Sequence, residues 1–407
     1  MMKNWIFSVF ILAGLIGCSE KEKNLSEGLW LAELQLMDYQ KLPFNFNLER
    51  KEDGNFIAKI FNADEIIYTD EIKISNDSIL FRMPVFEGYL KGTFTANEIK
   101  GMFRIESLDR DVPFIATYGI SDRFNSDLPS EYFVSGIWET YFSPGTLDEY
   151  VGKGIFVQND NRVTGTFRTT TGDYRFLEGL VTGDSLKLSA FDGAHAFLFK
   201  AKITDTTLNG IFYSGNHFKE PFIAKRNEVF ELPDEDSLTY LKKGYSQFSF
   251  SFPDTTGKII SLTDKQFQNK PVIIQLMGTW CPNCLDETKF LVDFIQNHKN
   301  LDIAVVALAF EYAKTEELAI KSIKRLKDRV GVDYPILLAQ FGTSDKQKAQ
   351  EKLPMLNHVL SYPTTIVIDK NGVVRKIKTG FNGPATGDKF LKFKKEFSLF
   401  VTELANE

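Results

Sequence analysis

From Gly28 to about Ala224 apolar and polar residues alternate in short runs, as in Phe44-Asn45-Phe46-Asn47-Leu48, Asn55 to Ile60 and Ser185-Leu186-Lys187-Leu188. Gly, Asn and Asp punctuate these runs at short intervals. Period-two alternation with frequent turn residues predicts antiparallel β structure with one buried face. No stretch of this region carries a helical period. It does repeat itself at roughly 105 to 110 residues, the kind of self-similarity that marks duplicated units. Gly28-Leu29-Trp30 recurs as Gly136-Ile137-Trp138, Asn76 to Leu80 as Gly183 to Lys187, and Gly101-Met102-Phe103 as Gly210-Ile211-Phe212. Two related units follow, 28–130 and 131–231. Each is expected to be a small up-and-down barrel or curled sheet, which removes exposed edges, or else the pair forms one sandwich.

The alternation stops between Lys225 and Gly244, where Leu232-Pro233-Asp234-Glu235-Asp236 marks a turn-rich boundary, and a linker is placed at 232–246. From 247 to 407 the period itself alternates. An opening hairpin is expected through Phe248 to Phe252 and Lys258 to Leu262, then strands at Pro271 to Met277, Ile303 to Phe310 and Pro335 to Ala339. Helices are expected at Pro282 to Asn297, Glu316 to Arg329 and Asp345 to Lys352. A hairpin through Asp369 to Gly372 and a last helix ending near Glu403 close the domain. Strands interleaved with helices predict a central sheet covered on both faces. The fold class is therefore an all-β N-terminal region followed by an α/β domain.

At 407 residues the chain exceeds one ordinary core, which agrees with several domains. Net charge is only −6 and lysines and arginines are dispersed among acids, so no polyanion-binding face stands out and nucleic acid is not an expected partner. The 37 phenylalanines are read mainly as core filling, because aromatic strand faces more often pack than bind. Trp30 and Trp138, at matching repeat positions, are expected to plug barrel ends.

The N-terminus reads as an address. Lys3 is followed by the apolar stretch Trp5 to Ile16, too short to span a bilayer comfortably, and then by Leu15-Ile16-Gly17-Cys18. This resembles a bacterial lipobox. The resemblance implies a signal peptide over 1–17, a lipid on Cys18, and a tether over 18–27 reaching roughly 30 Å at about 3.3 Å per residue. Ser19, in place of an aspartate, points to the outer membrane facing the periplasm within a bacterial cell envelope.

The chain has three cysteines. With Cys18 set aside for lipid, Cys281 and Cys284 remain, in Trp280-Cys281-Pro282-Asn283-Cys284, between an apolar strand and a helix. A thiolate is the attacking species in disulfide exchange, and a helix N-terminus lowers a thiol's pKa. Pro282 suits the first helical position. Cys281 is accordingly the nucleophile and Cys284, about one turn on, the resolving thiol. Zinc would need further ligands, and His195, His217, His298 and His358 have no ligand-like pairing; neither metal nor cofactor is expected.

The strand from Val272, the segment Gly278 to Cys284 and the following Leu285-Asp286-Glu287 resemble the TlpA/ResA branch of the thioredoxin superfamily. The resemblance extends from about Gly244 to the C-terminus. It implies an inserted helix and strand, fitting Glu316 to Ala339, and a cis-proline loop at Tyr362-Pro363-Thr364-Thr365. It further implies a substrate groove at Trp280, Pro282, Tyr362 and Pro363, with the Tyr362 backbone pairing to an extended substrate segment. Glu287 matches a family glutamate that shuttles a proton to the resolving thiol; read without the family, it is an exposed acid suited to a helix's first turn. Thioredoxin's buried aspartate is replaced here by Gln275. Gly380 to Gly387 has no phosphate-loop ending and either shapes the groove or caps the last helix.

The function that follows is thiol-disulfide exchange with protein substrates, as a reductase, with electrons from a membrane donor of the DsbD or CcdA kind, as the family implies, and the lipid anchor as the membrane contact. A second possibility is a surface lipoprotein that binds a ligand or protein through its β region, with the α/β domain as platform. A peroxiredoxin-type peroxidase is disfavoured, because Ile274 and Gly278 stand where its loop needs Pro and Thr.

Overall fold

The computed structural model describes residues 24–126 and 128–407; Cys18, the signal segment and most of the tether lie outside the described residues. The N-terminal region is all β, with helical structure confined to three-residue 3₁₀ turns. It forms two nine-stranded antiparallel sheets of the same meander order, each with its first strand paired to its last. In the second, pairing of Arg162–Thr169 with Leu177–Thr182 closes the ring into a barrel. In the first, Glu65–Thr69 and Glu71–Ser75 share no ladder among the described residues, so that sheet curls without closing. Neither arrangement is a single sandwich made of two halves.

The duplication is visible in register. Trp30 pairs with Phe46 and Tyr118, and Trp138 pairs with Gly154 and Arg226 at the matching positions. Both indoles are fully buried, and each donates from Nε1 to the carbonyl four residues earlier, Ser26 at 3.1 Å and Val134 at 2.8 Å. A buried Trp needs a partner for its N–H, and this one is supplied by the chain entering the strand. The barrel interior is filled by Phe142, Phe167, Phe199, Phe212 and Phe222 in edge-to-face and stacked contacts. These rings form core, as expected, and both tryptophans are buried in it.

The C-terminal domain has a five-stranded sheet in the order Ile336–Gln340, Ala304–Phe310, Val272–Met277, Thr364–Ile368, Val374–Thr379. The first three run parallel, Thr364–Ile368 runs antiparallel to them, and Val374–Thr379, antiparallel to Thr364–Ile368, returns to the direction of the first three. Four helices pack on it: α1 (Pro282–Asn297), α2 (Glu316–Val330), α3 (Lys346–Lys352) and α4 (Asp388–Asn406). The central strand Val272–Met277 is buried at every position, as a parallel strand covered on both faces must be. The opening hairpin is shorter than its hydrophobic pattern suggests, Ser251–Pro253 with Ile259–Ser261, and α4 runs three residues past the expected Glu403. Phe248 and Phe250 leave the ladder to enter the core instead.

The segment between the β region and this domain is fastened down. Asn382 donates to Glu235 at 2.8 Å, Thr379 and Thr239 share a 2.8 Å hydrogen bond, and Lys378 pairs with Glu235. The two β units are joined by reciprocal bonds between Asn62 and the backbone of Phe191, at 2.9 and 3.0 Å. Arg325 of α2 donates to the Met83 carbonyl at 2.7 Å, and Arg329 pairs with Asp70 at 2.9 Å. Both β units thus pack on the α/β domain.

Candidate active site

The apolar strand Val272–Met277 delivers the chain to the turn Gly278-Thr279-Trp280, and α1 begins immediately afterwards. Cys281 is the N-cap of α1 and Pro282 its first residue, where a missing N–H leaves nothing unpaired. The Cys284 backbone N–H points at Cys281 Sγ at 3.1 Å. Cys281 and Cys284 are joined as a disulfide, with Cα atoms 5.2 Å apart. In the reduced state the same N–H and the helix N-terminus favour a thiolate at Cys281. Cys281 is 6% exposed and Cys284 fully buried, which assigns first contact with a substrate to Cys281.

The peptide Tyr362-Pro363 is cis. The Tyr362 carbonyl oxygen lies 3.5 Å from Cys281 Sγ, so the loop sits directly over the dithiol. Trp280 completes this face: its indole donates to the Phe310 carbonyl at 3.0 Å and packs against Tyr312 and Tyr362. The sequence-predicted residues Trp280, Cys281, Pro282, Cys284, Tyr362 and Pro363 come together at one site, with Trp280 its most exposed member.

Residues 242–390 match the family model described as Redoxin. Over 140 residues the chain is 28% identical to the thioredoxin-like protein YneN of Bacillus subtilis, covering 34% of this chain and 73% of that one. Over 142 residues it is 26% identical to the thiol-disulfide oxidoreductase ResA of Geobacillus thermodenitrificans, covering 35% and 72%. The C-terminal domain is a TlpA/ResA-like member of the thioredoxin superfamily. Its activity is thiol-disulfide oxidoreduction, and its relatives imply protein thiols and disulfides as substrates. A solved thioredoxin-family thiol:disulfide interchange protein from Chlorobium tepidum aligns over 40% of this chain and 98% of its own, with 19% identity and a TM-score of 0.30.

Within this thioredoxin-like domain Glu287 is not the exposed first-turn acid of the alternative reading. It is 1% exposed, one helical turn past Cys284 on the same side of α1. Burial pushes its pKa up to about 7, against the opposing hydrogen bonds from Thr365 and Gln275. Gln275, which stands in place of a buried aspartate, donates to Glu287 at 2.9 Å and to the Cys284 carbonyl at 3.2 Å. Thr288 bonds Gln275 Oε1 at 3.1 Å and the same carbonyl at 2.8 Å. A carboxyl titrating near neutrality beside the resolving cysteine is suited to proton exchange.

Two features escaped the sequence reading. Glu311, just beyond the strand Ala304–Phe310, is buried, and it accepts from the backbone N–H and hydroxyl of Thr279 at 2.8 and 2.7 Å. Burial raises its pKa to about 7 as well. It fixes the turn that carries Trp280, and its signal was a lone acid closing an all-apolar run. Asn283 and Asp286 of α1 face the barrel: Asn283 donates to the Asp173 carbonyl at 3.3 Å, and Asp286 pairs with Arg175. No local pattern predicts a contact between residues so far apart in sequence. The loop Gly380 to Gly387 both flanks the site and starts α4, with Gly387 at the N-cap and no side-chain cap.

Proposed function

We propose that the chain is an extracytoplasmic, lipid-anchored reductase of protein disulfides, acting through Cys281-Pro282-Asn283-Cys284. Cys281 thiolate attacks one sulfur of the substrate disulfide, forming a mixed disulfide and releasing the first substrate thiolate. Glu287 takes the proton of Cys284, whose thiolate attacks Cys281 Sγ and releases the second substrate thiolate. Two electrons pass to the substrate, and the enzyme is left as the Cys281–Cys284 disulfide. A membrane dithiol donor of the DsbD or CcdA kind then returns it to the reduced state. The observation that supports this reading best is Cys281 at the N-cap of α1, its sulfur facing the Cys284 N–H at 3.1 Å.

Export is supported by Lys3, the apolar stretch Trp5 to Ile16 and the lipobox-like Leu15-Ile16-Gly17-Cys18. The proposed place is the bacterial cell envelope, at the outer membrane facing the periplasm. Metabolic labelling with a fatty acid, lost in Cys18→Ala, tests the anchor.

The reduction potential of the pair, measured by equilibration of the mature protein in glutathione and dithiothreitol buffers, tests the direction. A potential near thioredoxin's, about −270 mV, supports a reductase, whereas one near about −120 mV makes the protein an oxidant. Cys284→Ser, which should accumulate a mixed disulfide at Cys281, is the control.

A further inference from the structure

Between the barrel strand Arg162–Thr169 and the short strand Gly172–Asp173, a tight hairpin projects from the second β unit onto the dithiol face. Its tip runs beside the loop after the last sheet strand, where Gly172 forms a parallel bridge with Phe381. The Thr171 carbonyl accepts from Ser361, which precedes Tyr362 and the cis-proline, at 3.2 Å. Asp173 takes the Asn283 amide on its carbonyl and the Gly383 N–H on its carboxylate at 2.6 Å. A side chain at Gly380 would meet the Thr171 backbone at 2.6 Å, so glycine is needed there for the approach. Behind the tip Arg175 is anchored to Asp286 of α1.

An extended protein segment binds most readily by adding main-chain hydrogen bonds to an unpaired backbone edge. Beside Cys281 the hairpin makes such contacts itself: its backbone bridges Phe381, and the Thr171 carbonyl accepts from the Ser361 hydroxyl. Trp280, next to Cys281 in the chain, and Tyr312, packed against its indole, are both partly exposed.

We propose that the hairpin Thr169 to Asp173 is a specificity-determining strap, held over the strand-docking edge beside the dithiol. With the strap in place a substrate reaches Cys281 past Trp280, which suits a small disulfide or one at the tip of a projecting loop. A disulfide embedded in an extended polypeptide has to displace the strap before exchange. The chemistry is unchanged: one substrate disulfide and the enzyme dithiol become two substrate thiols and the Cys281–Cys284 disulfide. The inference rests on the oxidoreductase reading.

Gly172→Val tests it without altering any residue of the α/β domain. A Cβ there would lie 2.0 Å from the Asn283 amide and 3.1 Å from the Phe381 carbonyl, at a φ of +147° that side chains rarely adopt. The substitution therefore wedges the tip away. The soluble chain lacking its signal segment is assayed under dithiothreitol with two probes, glutathione disulfide and a linear peptide dimer joined by a central disulfide. The variant should raise kcat/KM for the peptide dimer by roughly tenfold while glutathione disulfide stays within about twofold. A second variant, with Thr170 and Thr171 removed from the tip, should show the same selectivity. Equal effects on both probes, or none on either, overturn the strap. Turnover of neither probe by the unmodified protein overturns the oxidoreductase reading and the strap together.

Discussion

Gln275 ties Glu287 to the resolving cysteine: one amide group reaches the Glu287 carboxyl at 2.9 Å and the Cys284 carbonyl at 3.2 Å. The central strand thereby holds the acid in register with the first turn of α1. With Thr365 on its other oxygen, Glu287 is fully paired yet remains close to neutrality because burial opposes its charge. Such a group exchanges protons at physiological pH with little driving force in either direction.

Glu287→Gln should therefore slow resolution of the mixed disulfide by about 100-fold at pH 8. In the unmodified protein the rate of that step should rise with pH through about 7, as the carboxyl becomes a base, and the variant should lack this inflection. Rapid-quench detection of the mixed disulfide reads the step directly. An inflection that persists in the variant would assign the base elsewhere.

Glu311 gives a prediction about stability. Its pKa, about 4.5 in the unfolded chain, is raised to about 7 when folded, so the native state binds the extra proton between these values. Its contribution is fully present below about pH 4.5 and is lost as pH rises to 7, on the order of 3 kcal/mol. Glu311→Gln should lose less stability than the unmodified protein between pH 5 and pH 8, measured by urea unfolding at each pH. Parallel curves would disprove the assignment.

At the domain junction Arg175 is surrounded by Asp286, Glu65 and Asp192, all buried or nearly so. Burial works against its charge, and these carboxylates together hold its pKa above the ordinary value. Removing the cation leaves these buried acids without the charge that balances them, so Arg175→Met should destabilise the protein by roughly 3 to 5 kcal/mol. Thermal unfolding at neutral pH would measure it, and a loss below about 1 kcal/mol would mean the cluster is hydrated.

The plug reading of the repeat tryptophans is tested by Trp138→Ala. Loss of a fully buried indole, its 2.8 Å bond to Val134 and its packing should cost about 3 to 5 kcal/mol. Were Trp138 a ligand platform instead, the change would leave chemical unfolding nearly untouched.

The hydrophobic period was enough for the α/β elements, because helices and buried strands impose different spacings over many residues. It placed α1 at Pro282 to Asn297, and the Cys281-Pro282-Asn283-Cys284 spacing located the dithiol without any coordinates. The repeat was legible too, since Trp30 and Trp138 occupy equivalent places in equivalent ladders. Closure was not legible: both units share one strand pattern, and the pairing of Arg162–Thr169 with Leu177–Thr182, which has no counterpart among the described residues of the first unit, distinguishes barrel from open curl. The burial of Glu287 likewise depends on Thr365 and Gln275 reaching it from two strands of the folded sheet. Local sequence determined the chemistry at Cys281 and Cys284, because a thiol, a proline and a helix start are neighbours along the chain. What surrounds that chemistry, from the neutral-range acid to the barrel hairpin against Asn283, was decided only by tertiary structure, because it depends on packing between segments that no sequence period connects.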